Sequence, residues 1–168
     1  MREIIYILLV PLLSISAYTE IRFRTIPNWL TIGILLASFV SSFLIGGSMM
    51  LKSSFLGFFW GFIVFLPFCL AGVLGGGDLK LMGAVGSIVA FPTILLVLYY
   101  TVLAGGLMAI VYAIWNGVFF STLSDLFKIL IGRKKTNPKG LKKVPVVPYG
   151  IAIGLGTLWT LLLSLNIL

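Results

Sequence analysis

The sequence predicts an all-α polytopic membrane protein, a six-transmembrane-helix bundle. Three observations carry that reading: 60% of the residues are hydrophobic and only 10% charged, mean hydropathy is +1.19, and the apolar residues fall in six runs. An ordinary soluble domain has about a quarter of its residues charged. A barrel strand would alternate apolar with polar at every second position. These runs are continuous, so each must satisfy its own backbone hydrogen bonds as a helix. The 168 residues are expected to form one transmembrane domain, 1–168, with no room for a separate soluble domain.

The first run, Ile4–Thr19, reads as a retained span, because no small-residue cleavage site follows it and a polar turn leads into further apolar sequence. Pro27 and Asn28 shape that turn, and Trp29 opens the second run, Trp29–Ile45, as an interfacial anchor. The third run, Phe55–Leu74, meets Gly75, Gly76 and Gly77. These glycines are expected to break the helix, to adopt backbone angles closed to other residues, and to expose both the backbone and the Asp78 carboxylate to a peptide. The fourth, Leu79–Ala90, covers only about 18 Å of a hydrocarbon core of roughly 30 Å. It either borrows residues on both sides of Pro92 or enters and leaves on one side. Thr93–Trp115 and Val146–Leu168 complete the set.

Charge orients the bundle. The chain carries 12 Lys and Arg against 4 Asp and Glu. With six spans, Arg22, Arg24, Lys80, Lys128, Arg133, Lys134, Lys135, Lys139, Lys142 and Lys143 share one side, and Arg2 and Lys52 take the other. By the positive-inside tendency the first side is cytoplasmic, which puts both termini outside. The polar, lysine-rich stretch between Gly132 and Pro145 reads as a connection drawn to anionic lipid, at roughly 1 kcal/mol per basic residue near the surface. The partner it implies is the bilayer; nothing resembles a nucleic-acid module.

Composition also narrows the chemistry. There is no histidine and one cysteine, Cys69, so neither a metal site nor an internal disulfide is expected and no cofactor is called for. Of the four acids, Glu3 lies at the outer N-terminus and Asp125 has Lys128 three residues on as a helix-face partner. Glu20 ends the first run and Asp78 opens the fourth, at the same membrane boundary. Each has a plain reading, Asp78 as a cap on the helix that follows the glycines and Glu20 as an ion pair with Arg22 or Arg24. Together they suit hydrolysis, because close carboxylates share one proton and so supply a base to activate water beside an acid. A proton-coupled carrier would use the same pair, although its acids belong nearer mid-membrane and often on repeated halves. Gly83 and Gly86 are expected to admit a close helix neighbour.

Three stretches then carry a family resemblance. "GGGDLKLMGAVG" resembles the GxGD box of type IV prepilin peptidases, the intramembrane aspartyl proteases that trim prepilins and preflagellins. "EIRFRTIPN" is similar to the segment bearing their first catalytic acid, normally an Asp followed by a hydrophobic residue, Arg and, a few residues on, Ile-Pro-Asn. "VPVVPYGIAIGLG" resembles the Pro-Tyr-Gly element that opens their last span. The resemblance covers the chain in motif order and is nearest to the short tight-adherence (Flp) pilus branch.

The resemblance implies a cytoplasm-facing site in the plasma membrane that cuts a leader peptide after a Gly-like residue, ahead of the hydrophobic helix of a pilin or preflagellin-like protein. Asp78 matches the second catalytic Asp, and Glu20 falls where the first belongs. Glu is one methylene longer, about 1.5 Å of reach, and a misplacement of about an ångström can cost ~100-fold in rate. An impaired member that serves as a binding or assembly subunit is therefore a rival reading. Gly75, Gly76, Gly77, Pro27 and Asn28 become site-supporting residues. Lys80 either steadies the acids or snorkels to the interface, and Tyr149 either hydrogen-bonds a carboxylate or anchors at the interface. The cysteine-bearing insertion that accompanies N-methylation in larger members is absent between Glu20 and Trp29, so no methyltransferase activity is expected.

Overall fold

A computed structural model describes residues 2–23, 26–70, 74–115, 117 and 149–166, and among them there is no strand. The helices are α1 (Arg2–Phe23), α2 (Asn28–Leu70), α3 (Gly76–Val89), α4 (Thr93–Trp115) and α5 (Tyr149–Asn166). The all-α expectation therefore holds over the described residues. Arg24, Asp125, the basic stretch Lys128–Lys143 and the Val144–Pro148 part of the last motif lie outside them.

α2 contains the second and third apolar runs in one helix that doubles back on itself. Its 43 residues turn at Gly47, whose φ of 61° and ψ of −150° break the helical backbone. That pairing of angles is essentially confined to glycine. The hydroxyls of Ser38 and Ser54, 16 residues apart, lie 3.4 Å from each other, whereas one straight helix would separate them by about 24 Å. Phe39 packs at 6.0 Å from Phe55 and 6.3 Å from Phe58. These pairs are centred on the Gly46–Gly47 step, so the two limbs run antiparallel with almost no loop.

α3 is the hub. It touches each of the other four described helices, most extensively α2, and Leu81 through Val89 are all buried. Close approach to the second limb of α2 comes from facing glycines: a Cβ on Gly57 would strike the Gly86 carbonyl, and one on Gly86 would strike the Gly57 carbonyl. A Cβ on Gly61 would lie 2.6 Å from the Met82 carbonyl oxygen. The Ser54 hydroxyl donates to the Ser87 carbonyl across the same contact. The sequence-based reading of Gly83 and Gly86 as close-packing positions agrees with this interface. The extension of the fourth run through Pro92 does not occur. α3 stops at Val89, Ala90 turns the chain with a φ of 61°, and α4 begins at Thr93. A helix of 14 residues is about 21 Å long, and since protein surrounds α3, its length does not have to match a bilayer.

α4 and α5 form the second antiparallel pair. Gly105 makes room for the Tyr149 ring, and Gly156 lets Thr101 come against the backbone. Large apolar side chains cover the outside, among them Leu44 at 76% exposure and Leu107 at 64%. α2 and α4 are each long and apolar enough to cross a membrane. An exterior of this kind would be an aggregation liability in water and is what contact with lipid tails requires.

Candidate active site

Asp78 is placed by the first turn of α3. Its carboxylate Oδ2 accepts from the Gly75 N–H at 3.1 Å, and the Asp78 N–H donates back to the Gly75 carbonyl at 3.1 Å. Gly75 is the cap residue and Asp78 the third residue of the helix. The side chain thus satisfies an otherwise orphaned donor at the helix start. Asp78 is only 6% exposed. The carboxylate is therefore shielded, contrary to the expectation that the glycines leave it open; Gly75 and Gly76 are the exposed positions.

The glycines act through space rather than through unusual angles. Gly75 has ordinary extended backbone, φ −73° and ψ 149°, and the described glycines with positive φ are Gly47 and Gly117. Leu74, just before them, is already outside the preceding helix, which is described to Leu70. A Cβ on Gly77 would sit 3.3 Å from the Ile26 side chain, one on Gly75 would sit 3.3 Å from Asp78 Oδ2, and one on Gly76 would meet nothing within 4 Å. Gly77 is where the turn after α1 docks onto α3.

That turn is held at two further points. The Pro27 carbonyl accepts from the Thr31 N–H at 3.4 Å as α2 begins. Lys80 Nζ donates to Asn28 Oδ1 at 2.9 Å. Lys80, exposed at this boundary, is thus engaged with the turn. Ile26, buried against Gly77, was not among the expected site residues; its only signal was an apolar residue immediately before Pro27.

Glu20 lies in the last turn of α1, and α1 meets both α3 and α5. Its Oε1 accepts from the Gly150 N–H at 3.3 Å. Its Oε2 is buried without a hydrogen-bond partner among the described residues, and a Cβ on Gly150 would fall on it. Of the two basic residues that the plain reading offered Glu20, Arg22 donates to the Tyr18 hydroxyl at 2.8 Å and lies over the Phe23 ring at 5.6 Å, and Arg24 lies outside the described residues. Tyr149 is half-buried and packs edge-on to Phe65 at 6.2 Å. Its hydroxyl is directed at Gly105, so its ring joins α5 to α4 and α2.

Both acids stand just beyond the ends of apolar runs, Glu20 after Thr19 and Asp78 before Leu79. Burial raises the Asp78 carboxyl above its ordinary range, and the Gly75 N–H opposes the shift. Burial likewise raises Glu20; the Gly150 N–H opposes it, and the charge of Asp78 pushes it up further. The fold has brought the two acids within electrostatic reach of each other.

The model of the type IV leader peptidase family matches residues 7–110, a region that contains Glu20, the Ile26–Asn28 turn and Asp78. This chain belongs to the type IV leader peptidase family. As a member of that family with two helices able to cross a bilayer, it is a membrane protein related to proteases. No curated protein and no solved structure matches it. The leader peptidase match ends ahead of α5, so Tyr149 and Gly150 lie outside it.

Proposed function

We propose that this chain is an intramembrane aspartyl endopeptidase that removes the leader peptide of prepilins or preflagellin-like proteins, with Glu20 and Asp78 as its catalytic pair. The observation that carries the reading is that two helices in contact, α1 and α3, bring one buried or half-buried acid each, Glu20 and Asp78, within the region matched by the leader peptidase family. Two adjacent carboxyls hold one proton between them near neutral pH. The ionised member takes a proton from water as the water oxygen adds to the scissile carbonyl, and the protonated member gives its proton to the carbonyl oxygen. On collapse of the tetrahedral diol the C–N bond breaks: the leaving amine takes the proton that the first carboxyl gained from water, one diol hydroxyl gives its proton to the second as the new carboxyl forms, and the pair returns to its starting state.

In this reading the chain has six spans, since α2 supplies two limbs and α1, α3, α4 and α5 one each. Both termini lie outside, and the basic loop lies in the cytoplasm with the two acids. The substrate is a chain whose leader ends at a Gly-like residue before an apolar helix. The site needs no metal and no cofactor.

The test is cleavage of a prepilin leader by purified protein in detergent. Asp78→Asn and Glu20→Gln each keep side-chain shape but cannot exchange the proton, so each should lower kcat roughly 1,000-fold or more, a barrier increase of about 4 kcal/mol. Either variant cleaving at the parental rate would remove that residue from the mechanism. A parent chain without cleavage activity would favour the binding-subunit reading.

A further inference from the structure

Gly150 belongs to α5, the helix that the family match does not reach. It is buried, and its N–H donates to Glu20 Oε1 at 3.3 Å, a charge-assisted bond when the acid is ionised. The other oxygen, Oε2, occupies the volume in which a Cβ on Gly150 would stand, and the carboxyl carbon lies 3.1 Å from that point. The position of the donor is itself fixed. The Tyr149 ring is set against Phe65 and Gly105, and Gly156 lies against Thr101.

We infer that Gly150 is the positioning residue for Glu20: its N–H holds one carboxylate oxygen, and its missing side chain provides the space that a glutamate needs at position 20. This rests on the reading of Glu20 as a catalytic acid. The longer acid is then a matched element of the site, accommodated by α5, rather than an aspartate replaced by a misfit. Oε2 is buried against Gly150 and has no hydrogen-bond partner among the described residues.

The inference predicts a size-dependent coupling between positions 20 and 150. Four variants of the full chain are compared with the parent in detergent: Gly150→Ala, Glu20→Asp, the two combined, and Gly154→Ala. The last is a control on the same helix, where an added Cβ meets nothing within 4 Å. The probe is a synthetic peptide spanning a basic leader, a glycine and the start of an apolar helix; kcat, KM and the melting temperature are measured. Gly150→Ala should lower kcat at least about tenfold while KM stays within about twofold, because a displaced acid harms the chemical step more than peptide binding. In the Glu20→Asp background the same change should cost less than about threefold, since the shorter acid withdraws from the added methyl. Gly154→Ala should behave as the parent. Equal costs of Gly150→Ala in both backgrounds would overturn the inference, as would an unchanged kcat. If the parent itself cleaves nothing, the proposed function fails, and melting temperature still decides the seat: destabilisation by Gly150→Ala that Glu20→Asp relieves supports it, and equal destabilisation in both backgrounds refutes it.

Discussion

Lys80 and Asn28 join the two halves of the candidate site: the Lys80 ammonium, one turn beyond the start of α3, donates at 2.9 Å to the side-chain oxygen of the residue that opens α2. The turn following Glu20 is thereby tied to the helix that carries Asp78. The same turn buries Ile26 against Gly77. Relative placement of the two acids thus depends on one polar and one apolar contact that neither acid makes.

Removing the polar contact should loosen the turn without unfolding the bundle. Asn28→Ala and Lys80→Ala should each cost about 0.5–1 kcal/mol in detergent, the range for an exposed hydrogen bond to a charged group. Each should slow leader cleavage by about three- to tenfold through the placement of Glu20. The double variant should be no worse than the weaker single, since both changes delete one interaction. Fully additive effects in the double-mutant cycle would show that the two side chains act separately.

Glycines at the α2–α3 crossing should be far less tolerant than glycines on open surface. Gly86→Ala drives a methyl into the Gly57 backbone, where no rotamer change gives relief, and should destabilise by about 3 kcal/mol. Gly106→Ala meets nothing within 4 Å and should be neutral or stabilise by up to ~1 kcal/mol through helix propensity. Thermal melts of the two variants in the same detergent are the measurement, and similar melting temperatures would contradict the packing described here.

Stability should fall as pH rises. Both carboxyls have their pKa raised in the folded protein, Glu20 by burial and by the Asp78 charge, Asp78 by burial. The folded state therefore binds more protons than the unfolded one between the ordinary carboxylate pKa, about 4, and the raised values. Stability is fully present below the unfolded pKa and declines as pH climbs through the folded ones. Melting temperature in detergent should be higher near pH 4.5 than near pH 8, and Glu20→Gln combined with Asp78→Asn should flatten the profile. A profile rising with pH would mean that the acids are held ionised by cationic partners.

Much of this protein was legible in the residues alone. Long apolar runs announce helices because lipid leaves a backbone no other partner, and the helices fall where the runs do. The GxGD box and the Glu20–Asn28 segment identified the family, since local motifs survive reading one stretch at a time, and the family match confirms that membership. The sequence reading paired Glu20 with Asp78 as acids expected at one boundary, and the helices that carry them, α1 and α3, are in contact. What hydropathy does not encode is which faces meet. A run of apolar residues has the same mean value whichever neighbour it packs on, so the sequence, which separated the second and third runs between Ile45 and Phe55, showed neither how tightly the chain reverses at Gly47 nor the burial of α3 at the centre. It also suggested that Gly75, Gly76 and Gly77 supply special backbone angles, whereas the tertiary contacts show Gly77 yielding room to Ile26. The seat of Glu20 was beyond sequence for the same reason. Gly150 is 130 residues from the acid it holds, and a hydrogen bond or an unfilled methyl volume between distant segments exists only once packing has fixed both backbones within about an ångström.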